Sequence, residues 1–357
     1  MATHTRGFFS ALICAFIIFC VDKIKHLETK ERPGSPMSDV DVVIVNYKSA
    51  AHTVKCVEAV HAIAREDGVV VHVFVIDNGD EALDFEVEVE GAGEARVVKN
   101  PVNLGFGTAS NIGARLGTAP FILFLNPDAL VHPGSLRAFT SFLNDPNNAG
   151  VGIAGPEIRS TNGSIVPSCS QLPSRSDLIA RSIGLHTLPR RGVGYPYTSL
   201  DDHAQSHAVG QVMGAALMIR RPAYEQLNGF DERFFLYYED VDISARADAL
   251  GITSYYLKDA CVTHAGRISS SQDAGFSLAL HIRSRLTYAG LHFGRLYQFV
   301  LFLVCALIEF PARLLQAMLG RSAVGAGGVL RAYKLLVLNL FSGTALPRPG
   351  AEPDSQR

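Results

Sequence analysis

Acid and amide side chains follow apolar runs at several places in this sequence. A carboxylate at the open end of an interior strand is costly to keep without a partner. FILFL at 121–125 runs straight into Asn126-Pro127-Asp128 before apolar residues resume. DVVIVN ends in Asn46, VVVHVFVID ends in Asp77, and His264 follows SYYLKDACV. Each alone is accounted for by a turn or a helix cap. Together on one rim they fit an open α/β sheet, which binds ligands outside the carboxyl ends of its strands. His264 reads as structural by itself and as a ligand if a metal lies beside it.

The densest chemical cluster is GFDERFFLYYEDVDISARADALG, residues 229–251, where Glu239, Asp240 and Asp242 crowd together behind a run of aromatic residues. Mutual repulsion among such carboxyls raises at least one pKa, which suits a general base. The alternative is a helix N-terminus whose acids answer the macrodipole, a reading that fits Asp242 better than Asp240. NLGFGTASNIG, 103–113, supplies Gly105 and Gly107 but Ser110 in place of a third glycine. It also does not follow a first βαβ strand, so a nicotinamide site is not expected. Glycines opening a helix still allow backbone to approach a phosphate or sugar.

The elements that would position these groups alternate. β-branched runs at 41–47 and 69–77, a shorter one at 95–100 and FILFLN are separated by helical spacing at 51–65 and after Gly105, which predicts an α/β fold with a mostly parallel sheet. Beyond Gly150 strand-like segments recur at VGIAGPEI and QVMGAALMIRR, and Ser168 to Asp202 reads as a long loop of the kind that forms flaps. From about residue 290 the chain turns strongly apolar, with LYQFVLFLVCALIEF expected to end at Pro311 and LRAYKLLVLNLF following. These helices read either as core or as interfacial helices at a membrane, since apolar faces are interleaved with Arg and Lys.

The 357 residues suffice for a sizeable core, and 32 basic against 34 acidic side chains give no global attraction to nucleic acid. Six scattered cysteines form no CxxC pair, so neither a zinc site nor a disulfide framework is indicated and a reducing compartment is expected. Phe8 to Val21 is apolar, short for a span, and followed by lysines that would hold its C-terminal end on the cytoplasmic side. Residues 1–38 therefore read as a membrane-associated segment or an upstream extension, ending in the linker Pro33-Gly34-Ser35-Pro36. The expected division is 1–38, a catalytic domain at 39–290, and apolar or amphipathic helices with a tail at 291–357.

The ordered set DVVIVNYKS, VIDNGD, NLGFGTASNIG, FLNPDALV, GAALMIRR, GFDERFFLYYEDVDISAR and HAGRIS resembles the family 2 inverting glycosyltransferases, in particular their rhamnosyltransferase-like branch. The resemblance spans about 39–290 and implies the GT-A fold, an α/β sandwich with a Rossmann-like half. By resemblance, Asn46 and Asp77 meet the nucleobase and ribose, and Asn103 with Gly105 forms a loop near the donor. Asn126-Pro127-Asp128 stands where the fold carries its metal-binding DxD motif, so Asp128 would hold Mg²⁺ or Mn²⁺ against the donor diphosphate, with His264 a further ligand. Asn126 replaces the first Asp of that motif and lowers the site's negative charge. The Glu239-Asp240 pair resembles the catalytic acidic motif, with Asp240 the favoured base and Glu239 either the alternative base or the residue that orients the acceptor or its neighbour. The implied partners are a nucleoside diphosphate sugar, with dTDP-rhamnose the leading donor, and a saccharide or lipid-linked saccharide acceptor at the cytoplasmic face of a membrane, held peripherally or by one N-terminal anchor. The competing readings are a nucleotidyltransferase, which would need a basic phosphate loop where VNYKSAAHT offers only Lys48, and a catalytically inactive nucleotide-sugar or saccharide-binding protein.

Overall fold

The first strands are buried on both faces, which is why their sequence is a continuous β-branched run and not an alternation. The computed structural model describes residues 39–79, 85–184, 203–266 and 273–342. The segment Phe8 to Val21 and the later part of the Ser168–Asp202 stretch lie outside the described residues. The first half of the fold alternates as expected: β1 (Val40–Asn46), α1 (Ala50–Asp67), β2 (Val71–Asp77), α2 (Phe85–Ala92), β3 (Ala95–Lys99), α3 (Phe106–Ala114) and β4 (Phe121–Leu125). A short β5 (Ala129–Val131), α4 (Ser135–Asn144) and β6 (Val151–Arg159) follow. Then come β7 (Ile165–Val166), β8 (Cys169–Ser170), α5 (Arg175–Ser182), β9 (His207–Val209), β10 (Gln211–Val212), β11 (Ala216–Arg220), α6 (Arg221–Gln226), α7 (Glu239–Ala249) and the long β12 (Thr253–His264).

The main sheet runs β3-β2-β1-β4-β11-β6-β12-β5. β3, β2, β1 and β4 are parallel, β11 enters antiparallel between β4 and β6, and β12 is parallel to β6 but antiparallel to β5. Successive side chains on a strand face opposite sides. Val42 and Ile44 accordingly join Val57, Val60 and Phe139 on one face, while Val43 and Val45 join Ala109, Tyr224 and Ile243 on the other. The expected long loop contains structure of its own: α5 begins with a capping box in which Ser174 and Asp177 exchange hydrogen bonds.

A third apolar cluster joins Phe234 and Tyr238 of the acidic segment to Leu178 of α5 and to the C-terminal helices α8 (Ala274–Phe293), α9 (Arg295–Val304) and α11 (Ala326–Ser342). The change in composition near residue 290 thus falls inside α8. Pro311 does not end the apolar helix, contrary to the sequence expectation. α9 passes through a π-helical turn, Cys305–Glu309, into α10 (Phe310–Met318), whose first turn holds Pro311. A wider turn directly before the proline offers a place for its ring within the continuing helix.

Candidate active site

Parallel pairing of β1 and β2 brings Asn46 and Asp77 side by side. Asn46 Nδ2 donates to Asp77 Oδ1 at 3.0 Å, while Asn46 Oδ1 accepts from Ser49 Oγ at 3.0 Å and Thr53 Oγ1 at 2.9 Å. Asn46 is fully buried, so these contacts fix its amide and through it the Asp77 carboxylate, which also accepts the Gly79 N–H at 3.0 Å. Ser49 and Thr53 carry no motif signal in the sequence. Only their i+3 and i+7 spacing after Asn46 hints at the contact.

The loop from Asn100 to Gly105 is tied to the same rim. Asn100 Nδ2 donates to Asn78 Oδ1 at 2.7 Å, Asn78 Nδ2 donates to Gly105 O at 3.0 Å, and Asn103 Oδ1 accepts the Gly105 N–H at 2.9 Å. The glycines also allow a close approach within the protein. Gly105 has φ +85°, and a Cβ there would lie 2.4 Å from Phe235 O, so its open side is filled by protein backbone. Phe106 N donates to the same Phe235 carbonyl at 2.8 Å. Asn111, beside the absent third glycine, accepts from Phe230 N at 2.9 Å and from Tyr224 Oη at 2.5 Å, and its amide donates to Phe230 O at 2.9 Å. The NLGFGTASNIG segment therefore docks the acidic segment onto the sheet.

Asp128 and His264 meet because β5 and β12 pair antiparallel, with His264 opposite Ala129. His264 Nε2 lies 3.1 Å from Asp128 Oδ1 and 3.3 Å from Asn126 Nδ2. A single ring nitrogen cannot donate to the carboxylate and accept from the amide at once. The Asn126 atom that faces the ring is its NH2, which donates and does not ligate, so the candidate ligand atoms for Mn²⁺ or Mg²⁺ are His264 Nε2 and Asp128 Oδ1, with substrate oxygens to complete the shell. Among the described residues no cluster of three or more His, Cys, Asp or Glu side chains is placed to hold a metal ion. Burial opposes ionisation of Asp128, but the hydrogen bond and charge of His264 outweigh it and hold the carboxyl below its usual range.

The acid pair stands at the first turn of α7, behind Tyr237 and Tyr238, both left-handed with φ +69° and +68°. Such backbone in bulky residues is strained and concentrates at functional sites. Asp240 Oδ2 accepts the Gly214 N–H at 2.8 Å and Oδ1 accepts the Val241 N–H at 2.9 Å. Glu239 is buried with Oε2 lacking a hydrogen-bond partner. Burial first, and the Asp240 charge second, push the Glu239 carboxyl up to about 8. Burial also raises Asp240, against the pull of its two N–H donors. Repulsion between the acids, the cause foreseen from spacing, is thus the smaller one. Asp242 is structural: it pairs with Arg246 at 2.7 Å and His292 at 2.8 Å.

Two neighbouring residues couple the acid pair to the Asp128 loop. Gly214 holds Asp240, and the next residue, Ala215, accepts the Asn126 N–H at 2.9 Å. A Cβ on Gly214 would lie 3.2 Å from Asp240 Cβ, a close fit that favours glycine here. The sequence signal was a glycine interrupting an apolar run.

The family profile described as "Glycosyltransferase like family 2" matches residues 36–286. N-acetylglucosaminyl-diphospho-decaprenol L-rhamnosyltransferase of Mycobacterium tuberculosis is 32% identical over 265 residues, covering 70% of this chain and 83% of that protein. Rhamnosyltransferase WbbL of Escherichia coli is 24% identical over 196 residues, covering 52% of this chain and 69% of that protein. Among solved structures, mannosyltransferase PcManGT from Pyrobaculum calidifontis in complex with GDP-Man and Mn²⁺ aligns over 95% of this chain and 86% of that one, at 14% identity and a TM-score of 0.47. A likeness that distant carries no functional weight. The profile match and the mycobacterial relative do: this chain belongs to the glycosyltransferase family 2.

Proposed function

We propose that this glycosyltransferase moves rhamnose from dTDP-rhamnose to a hydroxyl of a lipid-linked saccharide at the cytoplasmic face of a membrane, in one inverting displacement assisted by Mg²⁺ or Mn²⁺. The relatives named as rhamnosyltransferases support the sugar, and the decaprenol in the mycobacterial name supports the acceptor class. The observation that carries the chemistry is the link between the two halves of the site: adjacent residues, Gly214 and Ala215, hold the Asp240 carboxylate and the Asn126 backbone.

In this reading Asp77, oriented by Asn46, meets the ribose and base, and the Asn103–Gly105 loop closes the rim beside them. Asp128 and His264 would hold the cation, which would offset the charge that develops on the departing diphosphate, and Asn126 orients the His264 ring beside them. Asp240 is the base. Its two backbone N–H donors favour the ionised form, so it is the acid of the pair that can take the acceptor's proton. As it does so the acceptor oxygen bonds to the anomeric carbon from the side opposite the diphosphate, and the bond to the diphosphate breaks. Glu239 stays protonated at neutral pH and leaves Asp240 as the basic member of the pair.

A thermal-shift titration with dTDP, UDP, GDP and ADP, each with and without Mn²⁺, tests the donor side. A ligand bound only by the native state stabilises it by about 2.7 kcal/mol at a hundredfold excess over Kd. A Mn²⁺-dependent shift selective for dTDP is expected. No shift from a folded protein overturns the donor site and leaves a saccharide-binding protein in its place.

A further inference from the structure

Arg295–Met318 forms a continuous 24-residue helix whose most apolar 18-residue stretch has mean hydropathy 1.8, long and apolar enough to cross a membrane. Its two long faces differ. Leu296, Phe299, Val300, Leu303 and Leu307 lie one turn apart and are exposed, Leu296 by 79% and Leu307 by 70%. Leu301, Cys305 and Glu309 form the opposite stripe and are buried. Glu309 pairs inward with Arg285 of α8 and along the helix with Arg313. α8 is itself bound to the catalytic body, since Ser284 Oγ donates to Leu236 O at 2.7 Å in the acidic segment.

Crossing a bilayer would strip the inner face from α8 and leave Glu309 and Arg285 as uncompensated buried charges. We infer that α9, α10 and the outer side of α11 lie flat on a bilayer rich in anionic lipid, with the Leu296–Phe299–Leu307 stripe inserted among the acyl chains. Charge argues for that occupant. Between 295 and 338 the basic residues are Arg295, Arg313, Arg321, Arg331 and Lys334, and the single acid, Glu309, is buried; Arg313 pairs with Glu309 and Arg331 with Asp273, so Arg295, Arg321 and Lys334 supply the excess positive charge. A face apolar along its length, with cations at its margins and no exposed acid, matches a negatively charged interface. It stands on the C-terminal helices alone and is independent of the donor and acceptor assigned above.

The chain contains no Trp, so one introduced indole reports only its own position. Phe299→Trp, Leu307→Trp and Leu315→Trp are made in the full chain and titrated with vesicles of phosphatidylcholine alone or mixed with phosphatidylglycerol, with lipids brominated at different depths as quenchers. The expected result is a blue shift with the mixed vesicles, weakened at least tenfold by high salt, and the same shallow depth at all three positions. A depth that reaches the bilayer centre at Leu307 and is shallow at the two others overturns the flat arrangement in favour of a span. No vesicle-dependent shift, from variants whose thermal unfolding matches the parent, overturns membrane docking. A shift that depends on protein concentration and not on lipid assigns the face to a second copy of this chain.

Discussion

Replacing Glu239 with Gln tests whether burial keeps a proton on this carboxyl. The amide reproduces the shape of the protonated acid and cannot ionise. In the folded protein the carboxyl titrates at about 8 against an ordinary 4.5. Between those values the folded state holds a proton that the unfolded chain has released, so wild-type stability falls as pH rises through this window. Each unit corresponds to 1.36 kcal/mol, giving a ceiling of about 5 kcal/mol once pH exceeds 8. The Glu239→Gln protein escapes that loss. Urea unfolding of both proteins from pH 5 to pH 9 should show a difference that grows with pH in favour of the variant, by about 2–5 kcal/mol across the window. A difference that stays constant over the range would refute the argument that the buried Glu239 is neutral at pH 7.

Asp240→Asn should reduce transfer at least about a thousandfold while nucleotide binding stays within about twofold, since it removes the proton acceptor and keeps the shape; turnover near wild type moves the base elsewhere. Asp128→Ala should abolish the Mn²⁺ dependence of nucleotide binding, and an unchanged metal titration by calorimetry would reject the ligand assignment. Gly105→Ala should cost about 2–5 kcal/mol in chemical denaturation, from its left-handed backbone and the overlap with Phe235, and should weaken nucleotide binding with it. An alanine tolerated there would show that the Phe235 segment yields.

The parallel half of the sheet was legible because β1, β2 and β4 are buried on both faces and so carry uninterrupted apolar runs. Acids and amides that break such runs at a common edge announced the rim. What could not be read is set by contacts remote in sequence. Nothing local to QVMGAALMIRR says that β11 would insert antiparallel between β4 and β6. The role of Asn111 depends on Tyr224 and Phe230, more than a hundred residues away. Glu309 looks like a flaw in an apolar helix until Arg285 is placed opposite it. Pro311 signalled a break because a π-turn leaves no composition signature.

The Gly214–Ala215 step divides labour within the enzyme. The spacing between Asp240 and the Asn126–Asp128 turn is set by a backbone segment that belongs to neither the loops after β1, β2 and β3 nor the helices of the C-terminal platform. Asn46, Asp77 and Asn103, the proposed donor-binding residues, follow β1, β2 and β3, on the other side of β4. Evolution, or a directed library confined to the loops after β1, β2 and β3, can therefore retune the sugar nucleotide while the reacting groups keep their spacing. A single residue inserted between Met213 and Ala216 would disturb both halves at once, so drift in this family should be permissive at the donor rim and intolerant of length change at that one turn.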